Sequence, residues 1–437
     1  MHQTNDPLDD ITACPDCDLL LPLPQVPEGH SGECPRCGKT LRRKTADSIV
    51  KALAFSISGL LLYLPAMLLP LMTFRSFGFS DTANILESIV NFYLNEYYFV
   101  ALMVLLSAVI FPLLLLSIML MISLHLQMRR YPLYLAKMLR IYLHLEEWAM
   151  VEVYLLGIMI TIIKMVDTSE ITYHAGIFCF TGLVLITLAI STVIDKHLFW
   201  QLIEGAGEKS GVKNTKAQTA RVVRGTGAEN GIILCHLCHK LSPSNLEGED
   251  CPRCGETLHS RLPGAISRTW ALVITSAIFL APANLLPIMR VDFLGIPDRS
   301  TILDGIIYFF QSGSYGIGLI IFTASILVPV FKIVGLMILL LSRRPCSPGL
   351  LSQKAKMYRY IAFIGRWSML DIFVIALLTV LVDFGVFTSI HAAPAATYFC
   401  IVVASTMFAA ITYDPRIMWD RCSRIGKNTQ PLSQLRP

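Results

Sequence analysis

The chain has 437 residues, of which 54% are hydrophobic and 15% are charged. Its mean hydropathy is +0.59, which exceeds what a soluble core of this size requires. Composition therefore excludes an ordinary soluble protein and indicates a protein that crosses a membrane several times. The formal net charge of +5 is explained below by the placement of Lys and Arg, and it does not indicate nucleic-acid binding.

Two quartets of cysteines, each built from two Cys-x-x-Cys pairs, precede long apolar regions. They are Cys14, Cys17, Cys34 and Cys37 in the first half, and Cys235, Cys238, Cys251 and Cys254 in the second. Four thiolates at this spacing can converge on one Zn²⁺ at about 2.3 Å. The sequence therefore predicts two zinc ribbons. Because cysteine occupies all four ligand positions, we expect each zinc ion to be structural rather than catalytic.

Eight uncharged or nearly uncharged runs follow, most of them near the ~20 residues that a ~30 Å hydrocarbon layer requires. They cover 52–72, 97–124, 148–163, 176–194, 270–289, 313–342, 361–382 and 392–413. The run at 148–163 is the shortest. The sequence thus predicts an all-α polytopic membrane protein with about eight spanning helices.

Lys and Arg are concentrated in alternate loops, which the positive-inside rule assigns to the cytoplasm. The basic clusters lie at 36–44, 129–140 and 343–359, whereas the intervening loops hold few cations and several acids. The polar segment 1–46 shows no cleavable signal peptide. We therefore expect both termini and both ribbons in the cytoplasm, and Trp200 and Trp419 as anchors at the membrane interface.

The quartets admit three other interpretations, of which the third, a sensor, keeps the zinc. Two disulfides per quartet are disfavoured by the reducing cytoplasm. A membrane-bound thiol redox enzyme would also use Cys-x-x-Cys pairs, but matched quartets favour metal. A membrane-tethered sensor of envelope stress is the third alternative. The remaining cysteines show no ligand spacing and are interpreted as packing residues or free thiols: Cys179, Cys346, Cys400 and Cys422.

The two halves are repeats of one another. The segment Cys-Pro-Arg-Cys-Gly-Lys-Thr-Leu at 34–41 recurs with one substitution at 251–258, which is an offset of 217 residues. The same offset relates other pairs: Pro65 and Pro282, Pro70 and Pro287, Pro112 and Pro329, His174 and His391. In the third helix an offset of 219 aligns Glu152 with Asp371. Two units of about four helices, each preceded by a ribbon, should insert with the same orientation as a parallel repeat.

We predict the domain boundaries from this repeat. The first ribbon covers 1–46, the first membrane unit 47–200 and a linker 201–230. The second ribbon covers 231–262, the second membrane unit 263–424 and a flexible tail 425–437.

Four motifs in the second half carry a family resemblance. They are Leu-Leu-Pro-Ile-Met at 285–289, Ala-Ser-Ile-Leu-Val-Pro at 324–329, Gly-Arg-Trp-Ser-Met-Leu-Asp at 365–371 and Asp-Pro-Arg-Ile-Met-Trp-Asp at 414–420. With the twin ribbons, they resemble the paraquat-inducible protein A family over essentially the whole chain. The resemblance implies a bacterial inner-membrane protein, not an enzyme. Such a protein works with a periplasm-spanning MCE-domain tunnel to move lipids, of which phospholipids are the expected substrate, between the inner and outer membranes.

The second half also carries charges within its predicted spans. Lys332 and Asp371 each lie about ten residues from the cytoplasmic ends of their helices, which at ~1.5 Å per residue is the middle of the bilayer. An isolated charge there costs at least ~2.5 kcal/mol, so we predict a contact between them. Pro329 lies one turn from Lys332 and leaves the carbonyl of Ser325 without a helix donor. In the first half Leu115 replaces the lysine.

These features predict a substrate pocket in the second unit. Its candidate residues are Lys332, Asp371, Ser325, Pro329, Arg366, Ser368, Asn284 and, in the first half, Glu152. Two structural alternatives remain open: the charged pair could only fix the register of its helices, and Arg366 could simply extend to the interface.

Topology gives the first testable prediction. Cysteine-accessibility labelling from the periplasm should modify a thiol introduced at Asp298, because the loop after the fifth predicted helix faces outward. A thiol introduced at Ser210 should stay protected. Labelling of Ser210 without labelling of Asp298 would invert the predicted orientation.

Overall fold

The computed structural model describes residues 11–23, 26–76, 79–165, 170–207, 225–293, 296–311, 313, 315–341, 347–381 and 388–428. The first half contains β1 (Ile11–Ala13), β2 (Leu20–Pro22), β3 (Ser31–Glu33), β4 (Thr40–Arg43), α1 (Ser48–Leu68), β5 (Met72–Ser76), β6 (Phe79–Ala83), α2 (Ile85–Leu94), α3 (Tyr98–Val104), α4 (Phe111–Gln127), α5 (Tyr134–Leu145), α6 (Val151–Met165), β7 (Glu170–Tyr173), α7 (Ala175–Val193) and α8 (Lys196–Gly207).

The second half repeats this order with fewer ribbon strands. It contains β8 (Ile232–Leu234), β9 (Leu241–Pro243), α9 (Ala265–Leu285), β10 (Met289–Phe293), β11 (Ile296–Ser300), α10 (Ile302–Gln311), α11 (Tyr315–Phe322), α12 (Val328–Leu341), α13 (Pro348–Gly365), α14 (Leu370–Leu381), β12 (Thr388–Ala392), α15 (Pro394–Thr412) and α16 (Arg416–Asn428). The predicted linker begins inside α8, and its residues 208–224 lie outside the described part of the chain.

Six helical segments in the described part of the chain are long and apolar enough to cross a membrane. They are Ser48–Leu68, Tyr98–Gln127, Ala175–Val193, Ala265–Leu285, Gly318–Leu341 and Pro394–Thr412. The second segment of each unit is continuous through a π-helical turn, at Leu105–Ile110 and at Thr323–Leu327. The chain is therefore a multi-pass membrane protein.

The helix in the third predicted span of each unit is short. α6 has 15 residues and α14 has 12. The predicted span 361–382 is not one helix, because α13 ends at Gly365, a 3₁₀ turn covers Arg366–Met369, and α14 begins at Leu370. Most of α13 precedes the predicted span and carries Lys354, Lys356 and Arg359, so it suits a polar surface better than a bilayer core. Asp371 thus lies in the first turn of α14 rather than deep within a continuous helix.

A three-stranded antiparallel sheet closes the end of each unit opposite its ribbon. The strand orders are β6-β5-β7 and β11-β10-β12. α1 carries Pro65 in its last turn, and its final N–H bond runs from Leu69 to the Pro65 carbonyl at 3.0 Å before the chain enters β5. The N–H of His174 then donates to the Leu71 carbonyl at 3.1 Å, so the sheet joins the end of α1 to the start of α7. The all-α prediction missed these sheets.

One predicted equivalence between the halves is wrong. His174 immediately precedes α7, but the residue that immediately precedes α15 is Ala393. His391 lies within β12. The offset of 219 found in the third helix therefore continues to the end of the unit, and the coincidence of two histidines at an offset of 217 has no structural meaning.

The two membrane units meet through the short helices α6 and α14. α6 packs against α14, and the rings of Tyr154 and Phe373 meet edge to face with centroids 5.1 Å apart. These two residues are equivalents at the offset of 219, so the contact is made by the same position in each unit. A Cβ added at Gly157 would lie 3.2 Å from the Phe373 Cβ. The units are therefore related by a pseudo-two-fold axis, as expected for a parallel repeat.

The first ribbon docks on the membrane unit of the second half. Arg359 of α13 donates to an Asp16 carboxylate oxygen at 2.8 Å and to the Cys37 carbonyl at 2.9 Å. The Arg36 guanidinium lies 4.1 Å from the centre of the Trp419 ring, which belongs to α16.

The second ribbon makes the reciprocal contact with the first membrane unit. Arg140 of α5, the equivalent of Arg359, donates to the Gly255 carbonyl and pairs with Glu256, both at 2.8 Å. Glu204 of α8 accepts from Arg253 and from Lys240.

The ribbon contacts bury both predicted membrane anchors. Trp200 is 2% exposed and Trp419 is 3% exposed. Trp200 lines a cleft shared with ribbon residues, and Trp419 lies beneath Arg36. Both tryptophans therefore belong to the ribbon docking surfaces, and their interpretation as interfacial anchors is wrong.

The close approach of α7 to the end of α1 gives the second prediction. A Cβ added at Gly176 would lie 2.4 Å from the Pro70 carbonyl oxygen, a backbone atom that cannot rotate away. We expect Gly176→Ala to lower the free energy of unfolding by about 1–3 kcal/mol, measured as a lower thermal midpoint in detergent. Gly182→Ala in the same helix is the control, because its new Cβ meets the flexible end of the Leu62 side chain. Equal stability of the two variants would contradict this packing.

Candidate functional site

The four Cys-x-x-Cys pairs share one turn geometry. In each turn the residue four positions after the first cysteine donates its N–H to that cysteine's carbonyl: Asp18 to Cys14, Gly38 to Cys34, His239 to Cys235 and Gly255 to Cys251. Each donor residue has a positive φ, of 58°, 70°, 56° and 70° respectively. Glycine adopts this conformation freely, and Asp and His tolerate it better than most residues. The turns point the two sulfurs of each pair toward the facing pair.

The sulfur geometry fits a tetrahedral metal site. In each quartet the four sulfurs lie within 4.8 Å of one another, and all eight cysteines are buried and free. The sulfur–sulfur distances are 3.4 Å for Cys14 with Cys37, and 3.6 Å for Cys17 with Cys34, Cys235 with Cys254 and Cys238 with Cys251. Metal–sulfur bonds of about 2.3 Å set tetrahedral sulfur–sulfur distances near 3.8 Å, whereas a disulfide needs about 2.05 Å. Each quartet can therefore hold one metal ion.

The cysteines outside the quartets divide into two groups. Cys179 and Cys400 are free, as predicted. Cys422 packs against buried residues, as predicted, but it is disulfide-bonded and therefore not a free thiol. Cys346 lies outside the described residues. Spacing along the chain cannot reveal such a pairing, because it depends on how distant segments meet in the fold.

Lys332 is the buried cation of the second membrane unit. Its side chain is 0% exposed, and among the described residues its Nζ has no hydrogen-bond acceptor. Ser325, in the π-helical turn that precedes α12, is 1% exposed, and its Oγ also lacks a partner there. The side chains of Asp371, Arg366 and Ser368 lie outside the described part of the structure. Their contacts with Lys332 therefore stay a prediction.

The π-helical turn shifts the carbonyl that Pro329 exposes. The N–H of Val328 donates to the carbonyl of Thr323, five residues earlier. In this register the carbonyl that loses its donor to Pro329 is that of Ala324, whereas the predicted Ser325 carbonyl assumes an α-helical register.

In the first unit, the carbonyl freed in this way accepts a hydrogen bond from another part of the chain. There the equivalent proline is Pro112, and five residues earlier the carbonyl of Ser107 accepts the N–H of Met150 at 3.2 Å. Met150 immediately precedes α6. The Ser107 carbonyl, which Pro112 leaves without a helix donor, therefore anchors the start of α6.

The remaining predicted pocket residues lie elsewhere. Glu152 lines a cavity of 320 Å³ between the two units, together with Glu146 of the first unit and Trp367 of the second, and the residues that line it do not include Lys332. Asn284 lies in the last turn of α9, where its Nδ2 donates to the Leu280 carbonyl at 2.9 Å. The structure therefore brings Lys332, Pro329 and Ser325 together on one segment and places Glu152 in a separate cavity.

A buried ion pair that the sequence analysis missed follows α15. Arg416 is 2% exposed and donates to Asp414 at 3.0 Å and to His236 of the second ribbon at 2.7 Å. Burial raises the pKa of Asp414, but the charge of Arg416 outweighs it and holds that pKa below its usual value. The Asp-Pro-Arg motif was the available signal, since charges this close to a span end need a partner.

Comparison with known proteins agrees with this two-unit architecture. The sequence model described as PqiA, paraquat-inducible protein A, matches residues 49–204 and 266–423, which correspond to the two membrane units. The chain belongs to the paraquat-inducible protein A family. The resemblance carried by the four motifs is therefore confirmed.

Curated relatives of this family align over nearly the whole chain. It is 31% identical over 415 residues to the intermembrane transport protein PqiA of Escherichia coli (strain K12), covering 93% of this chain and 95% of that protein. It is 30% identical over 415 residues to the lipophilic envelope-spanning tunnel protein A of the same strain, covering 95% and 92%. A probable intermembrane transport protein of Haemophilus influenzae is 30% identical over 421 residues, covering 94% and 95%. No solved structure matches the chain.

Metal removal gives the third prediction. Cys34→Ser and Cys251→Ser should each lower the metal content of the purified protein by about one ion per chain and reduce its level in membranes, because metal binding supplies much of the folding energy of so small a module. Elemental analysis measures the stoichiometry and identifies the metal. Cys179→Ser, outside the quartets, is the control and should leave the metal content unchanged. A full metal complement in both quartet variants would refute the assignment.

Proposed function

We propose that this chain is the inner-membrane component of an MCE-protein lipid transport system. It loads phospholipids onto, or receives them from, a periplasm-spanning tunnel between the inner and outer membranes. The names of its relatives, an intermembrane transport protein and an envelope-spanning tunnel protein, support transport between membranes. Two structural Zn²⁺ ions stabilise ribbons that face the cytoplasm, as do both termini. Each unit crosses the membrane four times, with α6 and α14 as its short third spans.

The complete burial of Lys332 is the observation that best supports the transport role. Lys332 is fully buried on a membrane-spanning helix, and an ionisable group at such a position is expensive unless it serves a function. The first unit holds Leu115 at the equivalent position, so the repeat fold itself does not need the cation.

The surroundings of Lys332 support a substrate pocket. Ser325 adds a second buried polar group without a partner among the described residues, seven positions earlier on the same continuous segment. α14, whose first turn contains Asp371, packs against the π-helical turn that holds Ser325. We place Asp371 as the counter-ion that holds Lys332 when no lipid is bound. A phospholipid phosphate would then compete with this carboxylate for the lysine.

A thiol redox enzyme is the weaker candidate. Catalytic Cys-x-x-Cys pairs need an accessible thiolate. All eight quartet cysteines are buried in two groups of metal-binding geometry, so no observation favours redox chemistry over a structural metal. No observation of the described residues favours a sensor.

Substitution of the charged pair gives the fourth prediction. Asp371→Asn should impair lipid transfer between membranes while protein level and partner binding stay near normal. If the pair only clamped the helices, the same change would lower the protein level, since removing one partner of a buried pair costs roughly 3–5 kcal/mol. The double variant Lys332→Met with Asp371→Leu separates these roles: it should be stable but inactive. A stable and fully active double variant would rule out the transport role.

A matched pair of serines tests the location of the pocket. Ser325→Ala should reduce lipid transfer several-fold. Ser123→Ala is the control, because Ser123 is also fully buried on the second segment of its unit with an unpartnered Oγ. Equal losses in both variants would place the pocket outside the second unit.

A further inference from the structure

A cleft of 280 Å³ lies between the two ribbons and the start of α8. Its lining includes five cations, Arg42, Arg43, Lys196, Lys240 and Arg253, and among the described lining residues Asp195 is the one carboxylate. Arg42 and Arg43 come from the first ribbon, Lys240 and Arg253 from the second, and Lys196 from the first membrane unit. A ligand in this cleft would therefore contact three separate parts of the fold.

The carboxylates around the cleft do not balance its cations. Glu204 accepts from both Lys240 and Arg253, and Glu146 pairs with Lys196 at 2.6 Å. Asp195 accepts the N–H of Leu198 at 3.1 Å and so caps α8. The described side chains thus supply five cations and three carboxylates, and Cys238 of the second quartet also lines the cleft, so a Zn²⁺ held there by four thiolates would add negative charge. No ion pair in the described structure involves Arg42, which is therefore left without a counter-ion.

Three buried nitrogen atoms in this cleft have no hydrogen-bond partner among the described residues. They are the Nε of Arg42, the Nδ1 of His197 and the Nε1 of Trp200, whose side chain is 2% exposed. Unpaired buried polar groups are rare in folded proteins. Burial, together with the charges of Arg42 and Arg253, lowers the pKa of His197, which agrees with a positive environment. Trp419 is the equivalent of Trp200 in the second half, and its indole nitrogen also has no partner among the described residues. The surroundings of the two tryptophans therefore differ in their charged residues and not in this donor.

At the equivalent site of the second half, a cation is neutralised by two carboxylates. There Arg261 donates to Asp18 at 2.8 Å and to Asp420 at 2.7 Å. In the cleft, His239 occupies the turn position of Asp18, with φ of 56° against 58°. Gln201, which hydrogen-bonds His197 at the edge of the cleft, stands where an offset of 219 gives Asp420. Two carboxylates are thus replaced by uncharged or weakly basic side chains on one side of the pseudo-two-fold axis. The ribbon offset of 217 makes Lys44 the equivalent of Arg261, and Lys44 is exposed and pairs with Glu28.

We infer that this cleft binds a phosphate group, with Arg42 as its main cation and His197 and Trp200 as further donors. The oxygens of a phosphate accept several hydrogen bonds at once, and arginine is the cation best suited to them. The phosphate can belong to a soluble phosphate or to an anionic lipid headgroup, because α8 follows the membrane-spanning α7 after two residues. The site is separate from Lys332 and does not depend on the proposed transport role.

Binding of inorganic phosphate by the full-length, metal-loaded protein tests this inference. The protein is placed in nanodiscs of phosphatidylcholine, and radiolabelled phosphate is titrated at constant ionic strength against a chloride background. We expect saturable binding of about one phosphate per chain. Arg42→Gln should weaken it at least tenfold. Gln201→Asp should do the same, because it restores the carboxylate that the equivalent site carries at Asp420.

Lys44→Gln is the matched control for charge. Lys44 lies two residues from Arg42 on the same ribbon, is exposed, and pairs with Glu28 outside the cleft. Its removal should leave phosphate binding unchanged. Gln201 is exposed, so its variant is expected to fold even if Arg42→Gln does not. Metal content and thermal midpoint check the fold of each variant.

A second arm of the experiment distinguishes the source of the phosphate. Nanodiscs that contain phosphatidylglycerol replace the neutral ones, and lipid retained by the protein through detergent extraction is quantified. Saturable binding of inorganic phosphate that requires Arg42 supports a soluble ligand. Retention of phosphatidylglycerol that requires Arg42, without binding of free phosphate, supports a lipid headgroup. Neither form of binding, or binding that both variants leave unchanged, would overturn the inference.

Discussion

Two arginines at equivalent positions, Arg140 and Arg359, hold each ribbon on the membrane unit of the opposite half. A module of this size buries too little apolar surface to be stable alone, so it depends on its metal and on a docking partner. The docking surfaces are the helices that lie outside the six long spans, α5, α8, α13 and α16. Reciprocal docking therefore makes the two halves one structure, since neither ribbon can be removed without exposing the other half. The pseudo-two-fold arrangement of α6 and α14 follows the same axis.

Within this shared frame, the halves differ where charge is concentrated. The second membrane unit holds Lys332 where the first has Leu115. Near Trp200, Arg42 has no ion pair in the described structure, whereas Arg261, next to α16 and Trp419, pairs with Asp18 and Asp420. A repeat fold tolerates such divergence because the contacts that hold it are packing contacts shared by both units, such as Tyr154 with Phe373. Function can then be confined to one copy. Both unusual sites arise by substitution at matched positions rather than by insertion.

Sequence reasoning succeeded where the signal is local. Cys-x-x-Cys spacing located both metal sites, and runs of apolar residues located the six long spans, because a ligand turn and a membrane crossing are each specified by neighbouring residues. It failed where the structure depends on distant contacts. Nothing near Arg359 in the sequence indicates Asp16, and Trp200 satisfies the pattern of an interfacial anchor equally well. The break at Gly365 was missed because apolar residues continue on both sides of it, and the π-helical turns because their composition is ordinary for a helix.

Reciprocal docking has a consequence for biosynthesis. Arg359 follows Asp16 by 343 residues, whereas Arg140 precedes Gly255 by 115. The second ribbon therefore leaves the ribosome after its docking surface has already been made. The first must wait for its own, roughly 20–70 s at ordinary rates of translation. A metal ion bound by the first quartet would stabilise that ribbon during this interval, so the supply of metal to the nascent chain would matter more for the first quartet than for the second.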